Sequence, residues 1–281
     1  MPDVVRDIAA LREVVRDWRR DGHRIGLVPT MGALHEGHLS LLSHAFVSCS
    51  KVITTIFVNP TQFGAHEDLD AYPRDEARDL DMIAEAGGQL VFIPSVETMY
   101  PTEFSTRVEV DGLTDVMDGA ARPGHFNGVT QIVSKLLNQA QADVAVFGEK
   151  DWQQLAIIRR MVSDLDVPTD IQGAPTVRDA FGLALSSRNA YLSPDELSIA
   201  RRLNVVLKKA AYDIAASDYP TDICKTATDD ILTLGFQSVD YLECRDAVNL
   251  SLVDKLHKRS ARLFVAAKIG RARLIDNVAV N

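Results

Sequence analysis

The chain has 281 residues, 46% hydrophobic and 25% charged, with a formal net charge of −9. This balance excludes intrinsic disorder and argues against a general nucleic-acid binder, whose footprint is basic. No apolar run reaches the roughly 18 residues of a membrane span, and Cys49, Cys224 and Cys244, widely spaced and without a CxxC pair, argue against a disulfide framework or a cysteine zinc site, so a soluble cytoplasmic protein is expected.

Val4, Val5, Ile8, Leu11, Val14, Val15 and Trp18 recur at helical spacing and predict an opening amphipathic helix that stops near Gly22. Residues 24–29 (RIGLVP) read as a short buried strand, 30–37 as a loop and 39–47 as a helix. The β-branched run 51–59 is a second buried strand, 74–86 a helix ended by Gly87-Gly88, and 89–93 a third strand. A stripe of Val129, Ile132, Val133, Leu136 and Leu137 makes 126–141 helical; a fourth strand, 143–147, and a helix, 151–165, follow. Strand and helix thus alternate, which predicts an α/β fold: a Rossmann-like, doubly wound parallel sheet with helices on both faces.

Beyond about Asp179 the pattern changes. Ser-Pro-Asp-Glu opens a long helical stretch over 193–216, with a cap, a first-turn proline and then acids. A helix over 221–234 follows, and 239–244 and 262–269 read as strands of a small separate sheet. The expected division is 1–176, a Rossmann-like domain, and 177–281, a smaller α+β domain.

Four clusters carry chemistry. The first, residues 29–38 (PTMGALHEGH), follows a predicted strand and opens a predicted helix, where backbone N–H groups and the positive helix end favour a nucleotide phosphate. Gly32 and Gly37 allow close backbone approach. His35 and His38, three apart, are suited to donate to phosphate oxygens as charge builds on a leaving pyrophosphate. The other reading of this pair is a metal site, but HExxH needs four-residue spacing and a third ligand. The second cluster, 57–63 (FVNPTQF), ends the second strand; Asn59 and Gln62 suit hydroxyls or a carboxylate, while a plain Asn-Pro turn is the alternative. The third, 147–154 (FGEKDWQQ), leaves the fourth strand: Gly148 permits close approach, Lys150 offers a charge to phosphate, Asp151 is placed to cap the next helix, and Gln154 can face the crevice with Gln62. A surface charge run is its alternative. The fourth, 185–189 (LSSRN), sets two hydroxyls and a guanidinium where a triphosphate can be bracketed, or is an ordinary loop. Basic loops at 72–74 (YPR) and 122–126 (RPGHF) are further candidates. His23, His44, His66 and His257 read as structural or solvent-facing.

Together PTMGALHEGHLSLL, FVNPTQF, YPR, RPGHFNGV, FGEKDWQQL and SSRNAYLS resemble, in order and spacing, the pantoate–β-alanine ligase family of the HxGH nucleotidylyltransferase superfamily. The resemblance implies ATP, with Mg²⁺, as substrate, no tightly bound prosthetic group and no structural metal. It places Met31, Gly32, Ala33, Leu34, His35, Glu36, Gly37 and His38 on ATP, His38 being the proton donor and His35 lying on the phosphates. Gly148, Glu149, Lys150, Asp151, Val177, Leu185, Ser186, Ser187 and Arg188 would also contact the nucleotide, with Lys150 and Arg188 catalytic. Gln62 and Gln154 would hold pantoate, and Gln62 would also lie near β-alanine. A homodimer formed through the N-terminal domain and a C-terminal domain closing over the site are further implications. Trp152 and Leu185 stand where tyrosine and methionine are common. The implied reaction makes pantothenate through a pantoyl-adenylate. Its rivals are a nucleotidylyltransferase that keeps the nucleotide on its product, a non-catalytic nucleotide-binding module and a metal-dependent hydrolase.

Overall fold

Asp7 decides where the first helix begins. Its carboxylate accepts from the Ala10 N–H at 2.9 Å and caps α1 (Ile8–Arg20). Val4 and Val5, expected at the head of that helix, lie upstream of the cap and form β1 (Asp3–Val5), which pairs with a sheet edge instead. The computed structural model describes residues 1–64, 69, 72–256 and 260–280; His66 and His257 lie outside the described residues.

The alternation continues as β2 (Ile25–Thr30), α2 (Glu36–Phe46), β3 (Lys51–Ile56), α3 (Glu76–Glu85) and β4 (Leu90–Phe92). Two short helices not foreseen, α4 (Val96–Met99) and α5 (Met117–Ala121), precede α6 (His125–Ala140), β5 (Val144–Gly148), α7 (Trp152–Asp164) and β6 (Asp170–Ala174). The six strands form one parallel sheet in the order β1-β4-β3-β2-β5-β6. Successive side chains leave a strand on opposite faces. Leu27 packs with α1, α6 and α7, while Val28 packs with α2 and α3. Both faces are therefore covered, which explains why β2 and β3 read as continuous apolar runs.

The chain leaves β2 towards β3 and β4 on one side, and later returns to β5 on the other. Strand order reverses between β2 and β5, so a crevice opens at their carboxyl ends. The segments after Thr30 and after Phe147 both emerge there.

In the C-terminal part, the single long helix expected over 193–216 is two helices, α8 (Pro194–Ala200) and α9 (Leu203–Ser217), with a turn at Arg201-Arg202. Ser193 caps α8 in a reciprocal box with Glu196. After α10 (Pro220–Leu234) come β7 (Ser238–Asp246), β8 (Ala261–Ile269) and β9 (Ala272–Val280), an antiparallel sheet whose third strand was not foreseen. Leu207, Ile214, Leu263 and Val265, all fully buried, fill a second core between this sheet and its helices. Polar links tie the small sheet to the large one: Arg273 on β9 reaches Asp118 of α5 at 2.6 Å, and the Trp152 Nε1–H donates to the Ala247 carbonyl at 2.8 Å. Among the described residues, no helix is long and apolar enough to cross a membrane.

Candidate active site

The loop after β2 is held from below by a residue the sequence reading overlooked. Asp79 of α3, 1% exposed, accepts from the backbone N–H groups of Ala33 at 2.9 Å and Leu34 at 2.8 Å. Burial raises its pKa and the two N–H groups oppose that rise. Gly32 is required here: its φ is +81°, and a Cβ would stand 2.9 Å from an Asp79 carboxylate oxygen. The loop thereby delivers His35 to the N-cap position of α2.

At that helix start the two histidines interlock. The Gly37 N–H donates to His35 Nδ1 at 3.1 Å, and the His35 N–H donates to His38 Nδ1 at 3.3 Å, a capping box built from imidazoles. The backbone donors expected to meet phosphate are partly taken, since the His38 N–H also goes to the His35 carbonyl at 2.8 Å. Because Nδ1 is the acceptor in both neutral rings, Nε2 carries the proton in both. Their centroids lie 4.1 Å apart. Part of each ring is open to the cleft, yet protein closes round the rest. Burial, then the neighbouring His35, pushes the pKa of His38 down to about 3; burial, then Lys150, lowers that of His35. The helix start therefore presents neutral N–H donors.

Across the crevice, Asn59 orients Gln62. The Asn59 amide, 1% exposed, donates to Gln62 Oε1 and to the Gly128 carbonyl, both at 3.0 Å, and its oxygen accepts from the Tyr100 hydroxyl at 2.8 Å. Asn59 thus supports Gln62 and does not offer its own amide to a ligand, while the Gln62 Nε2 group turns to the Met31 side of the cleft. Helix α6 comes so near the Pro60–Gln62 turn that a Cβ on Gly128 would lie 2.4 Å from the Thr61 carbonyl oxygen.

After β5 the chain makes a tight turn, Glu149–Asp151, before α7. Asp151 stands at the helix start, but its side chain makes no capping hydrogen bond; it lies 3.4 Å from Lys150 Nζ instead. Trp152 stacks under the Arg262 guanidinium at 3.7 Å, so this aromatic position serves packing against the small sheet. The fourth cluster is pinned by the Leu185 N–H to the Val177 carbonyl at 2.9 Å, and Ser186 Oγ accepts from the Arg188 N–H at 3.3 Å.

These segments enclose a cavity of about 260 Å³. It is lined by Met31, His35, Gly37 and His38 from the first cluster, Gln62 from the second, and Gly148, Lys150, Asp151 and Gln154 from the third. Val177, Leu185, Ser186, Ser187 and Arg188 complete it, and Tyr72, Arg122 and His125 from the two basic loops face it as well. Gly32, Ala33, Leu34, Glu36 and Glu149 are not on the lining; Leu34 is buried beneath α2. A second cavity, about 640 Å³, shares Arg122, His125, Lys150, Gln154 and Arg188 and runs on between α5, the start of α7 and the small sheet. Among the described residues, no group of three or more metal-ligating side chains is present.

The pattern of the pantoate–β-alanine ligase family matches residues 3–279. The pantothenate synthetase of Dinoroseobacter shibae is 56% identical over 280 residues, covering 100% of both chains. That of Mesorhizobium japonicum is 52% identical, covering 99% of this chain and 98% of its own. The crystal structure of the Thermus thermophilus pantothenate synthetase superposes with a TM-score of 0.92 at 41% identity, over 99% of each chain. The Francisella tularensis pantoate–β-alanine ligase, complexed with β,γ-ATP and β-alanine, superposes with a TM-score of 0.84 at 33% identity, over 99% of this chain and 98% of its own. With likeness in sequence and structure running along its length, the chain belongs to the pantoate–β-alanine ligase family.

Proposed function

We propose that this cleft makes pantothenate in two chemical steps, with MgATP as the activating substrate. A carboxylate is a poor acyl donor at neutral pH, so a pantoate carboxylate oxygen first attacks the α-phosphorus of ATP and the bond to pyrophosphate breaks. The β-alanine amine then attacks the acyl carbon of the pantoyl-adenylate, the C–O bond to AMP breaks, and the amine nitrogen loses a proton. The observation that carries this reading is the imidazole capping box, which sets two neutral N–H donors beside Lys150 and Arg188, with Gln62 and Gln154 on the same cleft.

His35, His38, Lys150 and Arg188 act on the phosphates. Each preorganised donor to developing charge is worth about 3–4 kcal/mol. Met31, Gly37, Gly148, Asp151, Val177, Leu185, Ser186 and Ser187 form walls of the nucleotide site, while Gly32, Ala33, Leu34, Glu36 and Glu149 shape its backbone from behind. Gln62 and Gln154 hold pantoate, and Gln62 also lies near β-alanine. Holding the reactants in line is worth roughly 7–11 kcal/mol. The two steps require no enzyme nucleophile, and the cysteines are not placed to supply one: all three are buried, and burial pushes the thiols of Cys224 and Cys244 up to about 11 and about 12.

The division at residue 176, closure of the C-terminal part, the homodimer and the cytoplasmic location belong to the same proposal. A hydrophobic core built from residues 183–280 alone supports the first of these, although Leu250 and Phe264 reach over into the core of the large sheet, and three free thiols support the last. The reaction order is tested by ATP–pyrophosphate isotope exchange. Pantoate alone should support exchange, and an absolute need for β-alanine would sink the adenylate.

A further inference from the structure

The turn that carries Lys150 is short, and Asp151 does not cap the helix behind it. What fixes it comes from the far end of the chain. Asn277 on β9, 3% exposed, donates through Nδ2 to the carbonyls of Glu149 and Lys150, each at 2.9 Å. An amide nitrogen has two hydrogens, and both are used. The Asn277 oxygen accepts from Arg262 Nε at 2.8 Å, and Arg262 in turn lies over the Trp152 ring that opens α7. The amide therefore has one orientation, set by donors and acceptors on both sides.

The preceding residue holds the other cation-bearing segment. Asp276, 4% exposed, takes a bidentate pair from Arg178 at 2.6 and 2.8 Å, and Arg178 follows Val177 on the segment that leads to Arg188. Successive residues of a strand face opposite ways. One β9 step thus grips the Lys150 turn with one residue and the Val177–Arg188 segment with the next. At this point the small sheet therefore holds both cation-bearing segments of the nucleotide site.

We propose that Asn277 is a positioning residue for adenylation, holding the Lys150 turn so that its ammonium meets the nucleotide phosphates. The inference rests on the reading that Lys150 touches ATP. Misplacement by about 1 Å can cost about 10²-fold in rate, and the partners joined by a shared network couple non-additively.

The test is single-turnover formation of pantoyl-adenylate, by rapid quench, in a double-mutant cycle. Asn277→Asp keeps the acceptor for Arg262 but turns a carboxylate oxygen onto two carbonyls. It should slow adenylation by about 10- to 100-fold in the parent and by less than about twofold in the Lys150→Ala background. Asn277→Ser, uncharged and too short to bridge both carbonyls, carries the same expectation and serves if the aspartate does not fold. Circular dichroism establishes folding in each case. A parent-like rate in Asn277→Ser overturns the proposal. An equal loss in both backgrounds also overturns it, because Asn277 would then act through general stability. If Lys150→Ala alone adenylates at the parent rate, the reading of Lys150 fails, and the proposal falls for that separate reason.

Discussion

A drop in pH should unfold this protein partly through His38. In the folded chain its pKa is lowered from 6.5 to about 3, chiefly by burial. The unfolded chain therefore binds a proton that the folded chain refuses throughout that window. Stability is complete above about pH 6.5 and falls as pH drops towards the folded value, the direction expected of a histidine buried neutral. One such site loses about 1.4 kcal/mol per pH unit below its unfolded pKa. Between about pH 7 and about pH 5 this amounts to about 2 kcal/mol, reduced towards about 1 kcal/mol because part of the ring is open to solvent in the cleft. His38→Asn isolates the effect, since its amide oxygen can still accept from the His35 N–H and keep the capping box. Urea unfolding of both proteins at several pH values gives the comparison, with His35 contributing equally to each. The variant should show a slope shallower by about 1–2 kcal/mol over the window. Equal slopes would mean that His38 is readily protonated in the native state, and that the neutral-donor account of the site is wrong.

Other outcomes follow from the same geometry. Gly128→Ala should destabilise the protein by about 1–3 kcal/mol by overpacking and weaken pantoate binding, because the new Cβ meets the turn that carries Gln62; unfolding curves and calorimetry report the two effects. Gln62→Ala and Gln154→Ala should each weaken pantoate by about 1–3 kcal/mol and ATP-analogue binding much less, and equal losses for both ligands would assign the glutamines to the fold. Arg188→Lys should slow adenylation while sparing β-alanine attack on supplied adenylate, since an ammonium lacks the guanidinium fork; a defect confined to the second step in rapid-quench kinetics would refute this.

The sheet and the switch-point crevice were legible because β2 to β5 are buried on both faces and their carboxyl ends carry the motifs. Val4 and Val5 misled because valines continue the helical stripe of α1; the capping carboxylate of Asp7 overrides that periodicity. β6 escaped because a short edge strand containing Gly173 lacks the β-branched run that marked its neighbours. β9 escaped because its two buried polar residues, Asp276 and Asn277, interrupt the apolar pattern. The same fact hides the supporting residues of the site. Asp79 meets its loop from 46 and 45 residues away, and Asn277 meets Glu149 and Lys150 from 128 and 127 away. Local spacing carries no trace of such pairings. The residues facing the cleft lay in compact motifs, and Asn59 holds Gln62 from within one of them, whereas Asp79 and Asn277 hold theirs from distant elements.

The central claim is that the pantoate carboxylate becomes a mixed anhydride with the phosphate of AMP before the amide forms. Pantoate labelled with ¹⁸O in both carboxylate oxygens, turned over with ATP and β-alanine, tests it atom by atom. If the account holds, one labelled oxygen stays in the amide carbonyl and the other appears in the phosphate of AMP, with none in pyrophosphate. Unlabelled AMP, or label in pyrophosphate, would show that the carboxylate never attacked the α-phosphorus and would contradict the mechanism.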